Sequence, residues 1–208
     1  MNRLSLIFVS LLSLSLALYG QERSAVSDFA DIFSEGTVSF DYAFELKSED
    51  IPVKGSGSAS MCGSCYYLNG NGLEMWCDGK TRWTVDRSAK EACIESLDAE
   101  SVDCLSNPAA LLGSLGLSFD VTGTSEVSIK GKKVTSVSMV PAIEDTGLES
   151  AVLFLDGATP VRVKIATEDG VDVVFDISRF THKKESDVSA YSFDIALLEA
   201  SYVVTDLR

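Results

Sequence analysis

Residues 38–47, VSFDYAFELK, set Val38, Phe40, Tyr42, Phe44 and Leu46 in alternation with Ser39, Asp41, Ala43, Glu45 and Lys47. A strand projects successive side chains to opposite faces, so strict period two over this length predicts a strand with one apolar and one polar face. Just upstream, Val26, Phe29, Ala30 and Phe33 recur at helical spacing and Glu35-Gly36 supplies a stop, which predicts a short amphipathic helix over about 24–35. Downstream, Gly70-Asn71, Asp78-Gly79, Lys130-Gly131, Asp156-Gly157 and Asp169-Gly170 punctuate the chain as hairpin turns do. Between them strands are expected at about 55–62, 64–69, 72–78, 80–86, 91–97, 125–130, 132–140, 151–156, 160–167, 170–179, 190–195 and 202–206. The expected architecture is mainly β with short helices, an antiparallel meander. A sheet of that many strands curls strongly, giving a barrel, a half-barrel or a sandwich.

The remainder of the chain bounds what such a sheet can do. Of 208 residues, 17 are Lys or Arg and 31 Asp or Glu, for a formal net charge of −14. One domain of this size hides roughly 70% of its unfolded surface and folds without staples. The acidity excludes a tight nucleic-acid role, because phosphate contacts need a basic face. A single histidine removes His-based triads and multi-His metal sites. No phosphate loop, nucleophile elbow or HExxH motif occurs, so no catalytic residue, metal or cofactor is assigned and the chain is not expected to be an enzyme. His182 falls in a polar loop, and Asp41, Glu45, Asp172 and Asp176 fit a solvated outer face.

Residues 1–20 carry Arg3 and then an uncharged Leu- and Ser-rich run from Leu4 to Leu18, the pattern of a secretory signal peptide. Cleavage after Gly20 would leave residues 21–208 as one exported domain, without a cysteine at the junction to carry a lipid. A second uncharged stretch, Leu105 to Phe119, contains Asn107-Pro108, an N-cap followed by proline at the first helical position, and continues with Leu111, Leu112, Leu115 and the stop Gly116. Such a short apolar helix gains its stability from what it covers, so it is expected to lie on the sheet as a plug or as a movable lid over an apolar cavity.

The segment Asn71 to Glu95, NGLEMWCDGKTRWTVDRSAKEACIE, resembles the outer-membrane lipoprotein carrier proteins (LolA-like) in its DGKT-x-W hairpin. The opening helix followed by VSFDYAFE, the Asn107-Pro108 segment and the terminal Val203 to Arg208, VVTDLR, resemble that family as well, so the likeness spans most of the mature chain. The resemblance implies an incomplete, half-open antiparallel β-barrel covered by helices, which takes up the acyl chains of lipoproteins in the periplasm. It also implies a membrane donor complex and an outer-membrane acceptor as partners, a monomer, and no nucleic acid. Phe40, Phe44, Trp76, Trp83, Leu111, Leu112 and Leu115 are the candidate cavity residues. Either two-residue loop at the Asp78-Gly79-Lys80 turn puts Trp76 on one face with Trp83, whether as core staples or as cavity lining, and Leu73 and Met75 on the other face are equally apolar. One departure stands out. The family's basic residue at the cavity mouth, tied to one-way release of cargo, should fall in Met61 to Tyr67, and that stretch holds no Arg or Lys.

The same stretch opens the cysteine series Cys62, Cys65, Cys77, Cys93 and Cys104. In an exported protein disulfides are the first expectation. A three-residue loop at Gly70 to Gly72 would set Cys65 opposite Cys77 and make that pair a possible disulfide, whereas a two-residue loop would offset them. Two alternatives to the carrier remain: an acyl-binding periplasmic sensor of the same fold, and a thiol-based metal or redox protein using Cys62, Cys65 and Cys77, with Cys93 completing a four-thiolate zinc site.

Overall fold

The computed structural model describes residues 28–33, 35–47, 52–97, 115, 119–143 and 146–208. The period-two segment is β1 (Thr37–Lys47). It is followed by β2 (Val53–Cys62), β3 (Cys65–Gly70), β4 (Leu73–Cys77), β5 (Thr81–Asp86), β6 (Glu91–Ser96), β7 (Phe119–Ile129), β8 (Lys132–Pro141), β9 (Leu148–Asp156), β10 (Thr159–Thr167), β11 (Asp172–Lys183) and β12 (Val203–Asp206). All twelve join one open sheet in the order β12-β6-β5-β4-β3-β2-β1-β11-β10-β9-β8-β7.

The meander holds in two runs, β1 to β6 and β7 to β11, which meet where β1 pairs with β11. β1 is therefore central, with both edges hydrogen-bonded, and its alternation sets the face of each neighbour. Val38, Phe40 and Tyr42 lie opposite Met61, Ala59 and Gly57 of β2, and these pair on to Tyr66, Leu68 and Gly70 of β3. On the other side Tyr42, Phe44 and Leu46 meet Ile177, Phe175 and Val173 of β11. Residues directly opposite share a face, so these form one inner surface. Its core joins Val38, Phe40, Met61, Tyr66 and Leu68 to Val137, Met139, Leu153, Val163 and Ile165 from the second run.

Residues 28–33 are helical, and the Glu35 amide still donates to the Asp31 carbonyl before Gly36, at φ +95°, ends the turn. Phe29 and Phe33, four residues apart and on one helical face, are buried in the inner core. Their rings continue a chain across the sheet: Phe29 to Phe33 at 4.7 Å, Phe33 to Phe180 at 6.1 Å and Phe180 to Phe40 at 6.2 Å. Of the expected lid, Leu111 and Leu112 lie outside the described residues, whereas Leu115 is fully buried in the inner core.

Two expectations are corrected. β12 joins β6 parallel, not antiparallel, because the chain after β11 crosses the molecule before pairing. Residues 190–195 form no strand; two 3-10 turns, Val188–Tyr191 and Ile195–Leu197, stand there, capped by the Asp187 and Asp194 side chains, which accept from the Ser189 and Ala196 amides. Tyr191 and Phe193 alternate because both turn toward the sheet's outer face, where Tyr191 is buried beside Cys62 and Cys65 and Phe193 meets Trp76. Residues 184–202 thus strap that face and lead into β12.

Candidate functional site: an aromatic mouth on the inner face

Exposure grades along the inner face. At the helical end Val38, Met61, Tyr66 and Phe40 are 1%, 2%, 0% and 6% exposed. Toward the other end Tyr42, Phe44, Leu46, Met75 and Phe175 are half-buried, and Leu73 is exposed. Tyr42, Phe44 and Phe175 form a ring cluster there, with centroids 6.4, 6.5 and 6.2 Å apart. The sequence of β2 makes room for it: the inner positions run Gly55, Gly57, Ala59, Met61, from no side chain to a large one, while Ser56, Ser58 and Ser60 take the outer face. A Cβ at Gly57 would come within 2.7 Å of the Tyr42 hydroxyl oxygen, one at Gly70 within 2.9 Å of it, and one at Gly55 would meet the Phe44 ring. The two rings therefore lie down over glycine backbone, as aromatic side chains do across strand glycines. Burial pushes the Tyr42 hydroxyl pKa up.

A polar group closes the inner face further along. Arg82 of β5 lies opposite Cys77 and so on the inner face, where its Nε and Nη2 donate to Glu95 Oε2 at 3.1 and 2.9 Å. Beside Cys77 and Arg82, the Tyr66 hydroxyl is buried and makes no hydrogen bond of good geometry among the described residues. Its pKa is pushed up to about 12, by burial first and by the Cys77 charge next, with Arg82 pulling the other way.

Trp76 and Trp83 stand directly opposite one another, as the hairpin predicts, with Gly79-Lys80 as the two-residue loop and the Asp78 carboxylate accepting from the Lys80 and Thr81 amides. Their assignment to the same cavity as Phe40 and Phe44 is corrected. Trp76 pairs with Tyr67, and Tyr67 with Ser60, which is an outer-face position. The Trp76 ring packs on Tyr67 at 4.9 Å and on Phe193 of the strap at 4.4 Å. Leu73 and Met75 hold the inner positions of β4 instead.

The Cys65–Cys77 disulfide is also corrected. The β3–β4 loop is Asn71-Gly72, since Gly70 pairs with Leu73, and this two-residue loop sets Cys77 opposite Tyr66. Cys65 then belongs to the outer face and Cys77 to the inner, and both are free thiols. The same division separates Cys62 and Cys65 from Cys77 and Cys93, which lies opposite Thr84 on the inner side. A four-thiolate site from these residues would have to span the sheet. Burial pushes the Cys77 and Cys93 thiols up, so neither is an activated nucleophile.

A cleft of about 950 Å³ lies on the outer face, floored by Asp41, Ser56, Ser58 and Asn69 and walled by Lys130 of the β7–β8 turn and Lys132 at the start of β8. Tyr42, Ile129, Val134, Val161 and Ile177 complete a mixed lining, and Asp176 at its margin is held by Arg162 Nε at 2.6 Å and Lys130 Nζ at 3.6 Å. Among the described residues no helix is long and apolar enough to cross a membrane.

No protein-family model matches the sequence, and no curated protein matches it significantly. Among solved structures, an uncharacterized conserved protein from Thermus thermophilus superposes with a TM-score of 0.53 at 9% identity, covering 87% of this chain and 96% of its own. The two share a fold. LolA superfamily proteins are among the structural neighbours, one from Nitrosomonas europaea matching with a TM-score of 0.44 at 10% identity over 82% of this chain and 97% of its own. A DUF1329 family protein from Desulfovibrio piger matches with a TM-score of 0.47 at 9% identity over 86% and 98%.

Sequence reasoning missed two parts of the site. Phe175, the third ring of the mouth, comes from a strand more than a hundred residues from β1 and is placed by the β1–β11 register. Arg82 supplies a basic group to the inner face although Met61 to Tyr67 holds none. Its position was readable from the DGKT hairpin once the loop length was fixed, because Arg82 then falls opposite Cys77, one residue from Trp83.

Proposed function

We propose that this chain is an exported, periplasmic carrier that shields the acyl chains of lipidated polypeptides from water on the inner face of its sheet, which curls into a half-barrel. The half-exposed cluster of Tyr42, Phe44 and Phe175 over the glycine floor of β2 carries this reading. Three large rings held at the edge of a closed apolar core offer contact area to a flexible chain without demanding a hydrogen-bonding partner. Each methylene buried contributes ~0.8 kcal/mol, so capture is easy and release is the controlled step. The burial of Leu115 in the inner core supports a competition between the Leu-rich segment around it and an incoming chain. Exchange with a membrane donor and an outer-membrane acceptor would act through that competition, with the protein working as a monomer, its mature form starting near Gln21.

An environment-sensitive acyl probe should bind the mature protein, and a lipidated peptide should displace it where its unlipidated twin does not. Equal displacement by both peptides, or no binding of the probe, would overturn the reading.

A further inference from the structure

β2 ends at Cys62 and β3 begins at Cys65, and the two cysteines face each other directly across the turn Gly63-Ser64. Gly63 has φ +57°, the left-handed conformation that the tight hairpin turn requires. Facing residues of an antiparallel pair have Cα atoms ~4.5–5.5 Å apart, inside the roughly 4.4–6.8 Å span of a disulfide, and their Cβ atoms project to the same side. Both side chains are 7% exposed and pack together against Tyr191, itself 3% exposed. Burial and then the charge of Cys62 push the Cys65 thiol up, while Ser64 pulls it down, so the two sulfurs lie within electrostatic reach of one another. Cys77 and Cys93 face the opposite side of the sheet.

We propose that Cys62 and Cys65 form a reversible disulfide that closes the tip of the β2–β3 hairpin beneath the strap's anchor, Tyr191. The bond forms by exchange with a disulfide-bearing oxidant. One cysteine, as thiolate, attacks a sulfur of that oxidant and expels one thiolate, giving a mixed disulfide. The other cysteine, deprotonated, attacks the sulfur of the first and expels the second. Two cysteine thiols lose two protons and two electrons, and one oxidant disulfide is reduced to two thiols. The exposed turn residues Gly63 and Ser64 give access from the hairpin tip. Tyr191 also exchanges a hydrogen bond with Ser60 at 3.0 Å, one ladder step away, so the oxidation state of the pair is set into the surface on which the strap rests. This inference is independent of the carrier reading, since it concerns the outer face.

The test incubates the mature protein with glutathione disulfide, alkylates remaining thiols in denaturant and maps chymotryptic peptides by mass. The peptide holding Cys62 and Cys65 should be lighter by two hydrogens and unalkylated, with Cys77 and Cys93 alkylated, and Cys77→Ser should give the same result. Cys62→Ser should leave Cys65 alkylated or joined to glutathione. A bridge to Cys77, or full alkylation of Cys62 and Cys65 after complete oxidation of the buffer, would overturn the proposal. Limited proteolysis after Lys183 or Lys184 should release the strap several-fold more slowly from the oxidised protein; equal rates would refute the link between the bridge and the strap.

Discussion

Replacing Phe44 by Ala and, separately, Trp76 by Ala distinguishes the two faces of the sheet. Both rings are half-buried, but Phe44 lies on the inner face with Tyr42 and Phe175, whereas Trp76 lies on the outer face between Tyr67 and Phe193. An aromatic side chain carries ~150–250 Å² of surface and Phe44 is at most about a third exposed, so the part left open to a ligand is about 60 Å². At ~25 cal/mol per Å² that area contributes about 1.5 kcal/mol to an acyl chain laid against it, or roughly a tenfold change in affinity. The buried part of each ring supports folding, so either substitution should lower stability by about 2–4 kcal/mol. Displacement of an acyl probe, measured well below the urea midpoint of each variant, should show Phe44→Ala binding roughly tenfold more weakly. Trp76→Ala should bind within about twofold of the parent despite its lower midpoint. The reverse pattern in two folded proteins would make the outer aromatic surface the ligand face and refute the assignment from strand register.

Gly57→Ala should cost about 1–3 kcal/mol in urea unfolding, because the new methyl would displace the Tyr42 ring or the backbone of β3 at Asn69; an unchanged midpoint would mean that the ring does not rest on β2. Tyr66→Phe removes a buried hydroxyl that makes no hydrogen bond of good geometry among the described residues and should leave stability unchanged or raise it by up to about 1 kcal/mol, checked by the same unfolding curve. In the folded protein the Tyr66 pKa lies at about 12, above its unfolded value, so its contribution is complete below that unfolded value and is lost as pH rises through the folded one; ultraviolet titration should show a tyrosine ionising last, absent in Tyr66→Phe. For Asp176 the sign is opposite. Arg162 holds its carboxyl below the ordinary range, so the stabilisation is present above the unfolded value and disappears as pH falls through the folded one; carboxyl NMR should find it titrating low, and Asp176→Asn should flatten the acid limb of the stability profile.

The period of VSFDYAFELK and the Gly, Asn and Asp punctuation suffice to predict a β protein with most of its strands in place, because side-chain alternation and positive-φ turns are properties of a few neighbouring residues. The 190–195 segment shows the limit of that reasoning. Its alternating Tyr191 and Phe193 mimic a strand, yet the pattern arises from docking on Cys62, Cys65 and Trp76, contacts made across more than a hundred residues of sequence.

What the sequence alone determined is the two-faced character of β1 and the shared face of Trp76 and Trp83, since each depends on one strand or one short turn. Which of two equally apolar faces of the DGKT hairpin joins Phe40 was decided only by tertiary structure. The deciding quantity is loop length: Asn71-Gly72 rather than three residues sets Cys77, Met75 and Arg82 inward and both tryptophans outward, and a slip of one residue would have exchanged the two sets and brought Cys65 opposite Cys77. The mouth itself needed the pairing of β1 with β11, which closes a loop of more than a hundred residues to bring Phe175 beside Tyr42 and Phe44. Such a pairing is selected by the fit of the whole core rather than by any local preference, so no segment of the chain read by itself could show it.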